Sequence, residues 1–288
     1  MSTRFAYYGH HKCATTWMRG VIEKVCRYTG MTAHTFDNPS QFEGNLDGYL
    51  SEHPTDFFCY TNAKYELLGN VGKLPGFHMI RDPRDIIVSG YFSHKHSHPT
   101  DGWSELIEHR KRLNGAESEE AGLLHEIDFS EPWIRDIADW NYQADNILEL
   151  KYEEFVANPY DTVLAAFEHL ELIDAERSGL GYCTVQWFRA LGIKLNSASR
   201  GRLPNLFAAS HIPADELLRI VYANRFAKQA KGRKPGQEDV KSHYRSGRAG
   251  DWQKYFTPRV ADAFSQRYPG LLETLGYEPD DSWTRWSS

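Results

Sequence analysis

Cysteine is scarce in this 288-residue chain: Cys13, Cys26, Cys59 and Cys183 lie far apart and form no C-x-x-C pair. That distribution argues against a disulfide framework and a structural zinc, and it points to a reducing compartment. No apolar run approaches the ~20 residues that a membrane span requires. The start, Met1-Ser2-Thr3-Arg4-Phe5, has no basic-then-apolar leader. The expectation is a cytoplasmic protein with no membrane partner. An excess of positive charge is missing as well. The formal net charge is −6, and phosphate backbones demand a positive field, so nucleic acid is not an expected partner. Any anionic ligand must instead be held by a local cluster of cations.

What is present is ordinary globular composition, 41% hydrophobic and 25% charged, in a chain long enough to bury a large core. Residues 5–8 read as a buried first strand ending at Gly9, and residues 31–36, 56–61, 77–80 and 147–152 read as further strands. Helical patterns cover residues 16–28, 84–94, 133–146, 159–170 and 214–228. Strands alternating with helices predict an α/β fold, a single domain with a central, mostly parallel sheet flanked by helices. Ligands of such sheets sit beyond the carboxyl ends of the strands. Residues 196–204 read as an irregular loop, and the basic, Gly-rich stretch 231–250 reads as a mobile cover. Variable regions are expected at about 103–131 and 179–211.

Three segments carry chemistry. The first is Gly9-His10-His11-Lys12-Cys13-Ala14-Thr15-Thr16-Trp17, a strand-to-helix loop. Backbone N–H groups at a helix start, two hydroxyls and one ammonium suit an anion. It is not a Walker A loop, because Lys12 precedes Thr15 by three positions and no acidic Walker B run follows. The second segment, His78-Met79-Ile80-Arg81-Asp82-Pro83-Arg84-Asp85, ends a strand at Arg81 and opens a helix at Pro83, with Ser89 two turns in. A guanidinium fork and a hydroxyl can grip one phosphate. The bland alternative is a surface ion pair between Arg81 or Arg84 and Asp82 or Asp85, which contributes little. The third is Tyr244-Arg245-Ser246-Gly247-Arg248-Ala249-Gly250-Asp251-Trp252, a basic loop with an aromatic anchor.

Together these segments resemble the sulfotransferase family that uses 3′-phosphoadenosine 5′-phosphosulfate (PAPS). Its phosphosulfate loop reads Pro-Lys-Ser-Gly-Thr-Thr-Trp, its 3′-phosphate motif runs from an Arg to a Ser eight residues on, and its late motif reads Arg-Lys-Gly…Gly-Asp-Trp. The resemblance implies a P-loop-NTPase-like sulfotransferase architecture over residues 1–288. Cofactor-binding segments then fall at 5–28, 77–92, 147–157 and 241–257, and acceptor-pocket segments at 36–49, 93–131 and 179–211. PAPS is implied as sulfate donor and 3′-phosphoadenosine 5′-phosphate (PAP) as product, with no metal. Carried over by position, Lys12, Thr15 and Thr16 would bind the 5′-phosphosulfate, with backbone N–H groups of Cys13 and Ala14. Trp17 would stack on adenine. Arg81, Ser89, Arg245, Ser246 and Gly247 match the 3′-phosphate grip. Tyr152 resembles an adenine-contacting Tyr, and Asn224 and Phe226 more loosely resemble a later adenine segment; plain core packing competes for Trp17, Tyr152 and Phe226.

Lys12 and Thr16 then suit leaving-group stabilisation. The base is the open position. Many family members carry Lys-Thr-His where this chain reads Tyr60-Thr61-Asn62, and Asn has no proton-accepting nitrogen. Helical spacing from Ser89 puts His96 on the phosphate-binding face, which makes it the first candidate; His34 and Lys64 are the others. The expected acceptor is a hydroxyl or amine of a small molecule or glycan, and the expected assembly is a monomer or homodimer. Two rivals stand beside this reading: a sulfotransferase-like nucleotide binder without turnover, and a Mg²⁺-dependent nucleotide kinase.

Overall fold

The structure is a computed structural model that describes residues 5–174, 187–188, 190–195, 198–199 and 209–284. The expected irregular loop at 196–204, most of the variable region at 179–211 and Cys183 lie outside the described residues. Five parallel strands form the central sheet: β1 (Phe5–Gly9), β2 (Ala33–Phe36), β3 (Phe57–Tyr60), β4 (Gly76–Ile80) and β5 (Ile147–Lys151), in the order β2-β3-β1-β4-β5. The register pairs Tyr8 with Tyr60, Gly9 with Met79 and Ile80 with Lys151. The carboxyl ends of β1, β3, β4 and β5 therefore finish at one rim. From β1 the chain runs to β2 on one side, and from β4 to β5 on the other. The crevice between their ends is the topological switch point where such sheets take ligands.

Alternation along the strands sets the two faces. Tyr7, Phe57, Cys59, Phe77 and Met79 face α1 (Thr15–Thr29) through Met18, Val21, Ile22 and Val25, with Val163 and Phe167 of α8 (Pro159–His169) and Leu217 and Val221 of α9 (Ala214–Asn224) in the same cluster. Ala6, Tyr8, Phe58 and Tyr60 face the opposite way, toward Phe36, Phe42, Leu50 and Trp140. A third cluster joins α3 (Pro83–Phe92) to α5 (Glu119–Phe129), α6 (Glu131–Ala138) and the helix Pro258–Arg267. Among these elements the described cysteines Cys13, Cys26 and Cys59 are free and buried. No helix among the described residues is long and apolar enough to cross a membrane.

Three expected helices are cut short. The pattern at 133–146 stops at Ala138, because Trp140 turns inward to stack on His78 (3.9 Å between ring centres) and donate its indole N–H to Glu149 at 3.0 Å. The pattern at 214–228 breaks after Asn224, whose carbonyl takes the Trp17 indole N–H at 2.7 Å. The pattern at 84–94 leaves α-geometry after Phe92. Residues Ser93–Ser97 form a π-turn, closed by His98 N–H donating to the Ser93 carbonyl at 2.7 Å. The expected variable region at 103–131 is regular instead: α4 (Ser104–Gly115) and α5 pack as a layer over α3 and the π-turn.

The loop after β1 has a further feature. Lys12 and Ala14 both take the left-handed conformation, at φ 65° and 58°. Ala14 stands where the resembled family has Gly, so the loop keeps its shape at a cost of about 1–2 kcal/mol. Ala14→Gly is expected to raise stability by about 1 kcal/mol, read as a higher urea midpoint, with PAP affinity retained.

Candidate active site

The first loop delivers α1 with its start exposed to the crevice. Its N-cap, Ala14, makes no side-chain cap hydrogen bond, and the first turn holds no acidic residue. The first N–H groups of a helix lack intrahelical partners, and the dipole adds partial positive charge there. Beside this helix end stands Lys12, with no hydrogen bond or ion pair to another described side chain. Burial, and then the Arg81 charge, lower the Lys12 ammonium to about 8. Such a lysine is short of negative charge and is stabilised by an incoming anion.

Arg81 closes the far side of the loop. It is 5% exposed, donates to the Lys12 carbonyl at 3.3 Å, pairs with Asp85 at 3.4 Å and lies 4.2 Å over the Tyr152 ring. Among the described residues its buried Nε has no hydrogen-bond partner, an orphaned donor on a charged group that an anion would satisfy. The bland ion-pair reading fits its neighbour better. Arg84 is held by Asp82 at 2.7 Å and Glu278 at 2.6 Å and stacks 3.6 Å over Trp252. The third segment is clamped to α3 by Asp85, which accepts the Gly250 N–H at 2.8 Å and the Trp252 N–H at 2.9 Å. Within that segment Arg245 pairs with Asp251 at 2.7 Å and with Glu238, and Ser246 donates to Asp251. Gly247 sits at φ 63°, and an added Cβ would meet the Phe226 ring at 2.4 Å, so the loop is seated directly on that ring.

One cavity of about 420 Å³ collects these parts, a size suited to a small ligand. Lys12, Ala14, Thr15, Thr16, Trp17, Arg81, Ser89, Tyr152, Phe226, Arg245, Ser246 and Gly247 all line it. Two of the predicted cofactor-binding residues do not. Cys13 is fully buried, and its N–H, expected to face the anion, donates to the His10 carbonyl at 3.1 Å inside the loop. Asn224 is buried behind the wall; its carbonyl anchors Trp17, and its side-chain oxygen takes the Lys24 ammonium at 2.6 Å. The expected mobile cover, 231–250, lends Pro235 and His243 to the lining. Among the expected acceptor-pocket segments, His98 of 93–131 reaches the cavity, and no described residue of 36–49 does.

The base candidates need correction. His96 is exposed and absent from the cavity lining, because the π-turn adds a residue to the turn and swings it off the Ser89 face. His34 is exposed on the edge strand β2, tilted against the rings of Phe36 and Tyr49. Lys64 pairs with Asp136 at 3.3 Å on a separate cleft. Asn62, at the position of the family His, donates to the Asp37 carbonyl at 2.7 Å.

In their place the structure brings His11, His98 and His243 to the cavity beside Lys12. His11 opens a buried chain. Its Nε2 lies 2.9 Å from His94 Nε2, His94 Nδ1 lies 2.9 Å from Glu126, and Glu126 also meets His109 Nε2 and the Ser130 hydroxyl at 2.7 Å each. Burial pushes the Glu126 carboxyl up, but His94 and His109 outweigh it and hold it at about 2. His94, His109 and Glu126 offer three donor atoms within 4.8 Å of one another. Their spacing, however, is that of hydrogen bonds: two ligands of a tetrahedral zinc would sit about 3.3 Å apart. A second chain runs parallel from the preceding residue: His10 Nε2 to His78 Nε2 at 2.7 Å, then His78 Nδ1 to Glu149 at 2.6 Å. It ends on a buried His10 Nδ1, without a partner among the described residues, rather than on the cavity. The sequence shows the adjacent histidines His10 and His11, but Glu126 carries no signal there, being one acidic residue of a helical stretch.

Residues 77–197 match the model of the sulfotransferase domain family. Among solved structures, the chain is similar to mouse sulfotransferase SULT7A1 complexed with PAP, with TM-score 0.53 and 16% identity over 94% of this chain and 84% of that one. It is also similar to retinol dehydratase in complex with androsterone and inactive cofactor PAP, with TM-score 0.52 and 14% identity over 94% of this chain and 80% of that one. The matched segment contains Arg81, Ser89 and Tyr152, and the shared fold is the sulfotransferase fold. The resemblance read from the motifs is thus met independently by a family match and by the architecture.

Proposed function

Proceeding from the sulfotransferase domain and fold, we propose that this chain transfers the sulfuryl group of PAPS to a hydroxyl or amine of a small acceptor. The observation that carries the reading is the convergence of three segments, far apart in sequence, on one cavity lined by the cations Lys12, Arg81 and Arg245. Lys12, Thr15, Thr16 and the uncapped start of α1 would hold the 5′-phosphosulfate. Arg81, through its orphaned Nε, would hold the 3′-phosphate with Ser89 and the Arg245–Gly247 turn. Trp17, Phe155, Tyr152 and Phe226 line the same cavity and offer rings for adenine, a stacking contact of roughly 1–3 kcal/mol. The Trp17 ring is fixed by its bond to the Asn224 carbonyl and by Phe155, 4.6 Å away between ring centres.

In the transfer, PAPS supplies an activated sulfuryl group on a phosphate oxygen. This chain's residues orient that group and keep Lys12 at the oxygen where negative charge develops. Calorimetry with PAP and with adenosine 5′-monophosphate tests the nucleotide site: PAP should bind at least tenfold more tightly, and Arg81→Ala should erase the difference. A radiolabelled-sulfate assay across hydroxyl and amine acceptors tests the transfer. Tight PAP binding with no transfer to any acceptor would leave only a nucleotide-binding protein. Mg²⁺-dependent ATP binding insensitive to a 3′-phosphate would favour a kinase.

A further inference from the structure

Resting on the sulfotransferase reading, we propose that His11 is the base that takes the acceptor's proton, held in the competent tautomer by His94 and Glu126. The tautomers follow from what each partner can do. A carboxylate only accepts, so His94 must donate to Glu126 through Nδ1, and His109 must donate through Nε2. With its proton on Nδ1, neutral His94 has its lone pair on Nε2. The His11 Nε2 facing it at 2.9 Å must therefore donate. The lone pair of His11 is then on Nδ1, and His11 lines the cavity next to Lys12.

Packing fixes the ring as firmly as the hydrogen bond does. His11 is nearly coplanar with His94, at an interplanar angle of 9°, and leans on Trp133 at 4.6 Å between centres. Glu126 reaches His94 through a gap that α3 leaves at Gly90, where a Cβ would meet a Glu126 oxygen at 2.4 Å. Arg110 donates to the His94 carbonyl. The other groups facing His11 are Lys12, His98 and His243. Burial first, and Lys12 second, lower the His11 pKa well below 6.5, so the ring is neutral and proton-accepting at neutral pH.

As the acceptor heteroatom forms its bond to sulfur, its proton passes to His11 Nδ1. The sulfur–oxygen bond to the 5′-phosphate breaks, and its electron pair leaves on the PAP oxygen beside Lys12. The imidazolium is stabilised through His94 by the buried Glu126 carboxylate, then returns its proton to solvent. His94 and Glu126 are positioning residues in this scheme. His98, the nearest competitor, has Nδ1 2.9 Å from the Pro99 carbonyl but no carboxylate behind it.

The test is His11→Ala in the full-length protein, with His98→Gln and Glu126→Gln beside it, each assayed for kcat across pH and for PAP affinity. His11→Ala should lower kcat by roughly 10²–10⁴-fold, leave PAP affinity within threefold, and recover rate with added imidazole in proportion to its neutral form. The wild type should lose kcat on acidification only below pH 6.5. Glu126→Gln should move that acid limb, an effect that loss of packing alone would not produce. A His11→Ala enzyme with wild-type kcat and an unchanged acid limb would overturn the proposal, as would a limb lost in His98→Gln but kept in His11→Ala. A wild-type protein that transfers no sulfate would fail the underlying reading instead.

Discussion

Lys12→Ala is expected to lower kcat by about 10²–10³-fold while weakening PAP binding far less. The ammonium stands at the start of α1; in the proposed transfer the leaving phosphate oxygen would gain its charge there, so the contribution of Lys12 would grow along the reaction rather than on binding. The pH dependence has a definite sign. Lys12 is useful only when protonated, and in the free enzyme burial and Arg81 bring it to about 8. The ratio kcat/KM, which reports free-enzyme ionisation, should therefore fall as pH rises through about 8. Lys12→Arg, whose guanidinium does not titrate in this range, should retain part of the rate and lose the alkaline limb. Stopped assays from pH 6 to 10 on the three proteins check this. An alkaline limb that persists in Lys12→Arg would assign it to another group.

Much of this arrangement was legible in the sequence because it depends on local chemistry. A loop with Gly9, Lys12, Thr15 and Thr16 between a buried strand and a helix reads as a candidate anion site from its residue types, with an ordinary turn as the alternative, and Lys12, Thr15 and Thr16 line the cavity at the sheet's rim. The strand and helix alternation fixed a parallel sheet, since parallel strands need crossovers. What was not legible came from long-range packing. Helical spacing from Ser89 pointed to His96, yet a single π-turn rotated the series and buried His94 instead. No local pattern announces that turn; it is held by α4 and α5, which supply Arg110 and Glu126 from regions that read as variable. Asn224 was placed against adenine by resemblance, but its side chain is spent on Lys24 and its own helix. Cys13 spends its N–H inside the loop for a similar reason: left-handed backbone at both Lys12 and Ala14 turns it back toward His10.

The Arg81–Asp85 pair shows why the ion-pair alternative needed the structure to be weighed. At a surface such a pair is worth little, but Asp85 is fully buried and does three things at once: it neutralises Arg81, accepts the Gly250 N–H and accepts the Trp252 N–H. Removing it leaves a buried guanidinium uncompensated and two main-chain donors without acceptors. Asp85→Ala should therefore cost roughly 3–5 kcal/mol, measured as a lower urea midpoint. Because the lost bonds are those that seat the third motif on α3, the damage should also be visible locally. Residues 231–250, rich in Lys and Arg, should become susceptible to trypsin, and PAP affinity should fall as Arg245 and Ser246 lose their placement. Asp82→Ala, three residues before Asp85, is the comparison. It removes the cap on the Arg84 N–H at 2.9 Å, about 1 kcal/mol, and one of the two carboxylates that pair with the buried Arg84. It leaves the Asp85 bonds to Gly250 and Trp252 in place, so it should open the loop to trypsin less than Asp85→Ala does. If Asp85→Ala keeps wild-type stability and trypsin resistance, the loop is held by Trp252 on Arg84 and by the Arg245 pairs, and the Asp85 link is not what places Arg245 and Ser246 in the cavity wall.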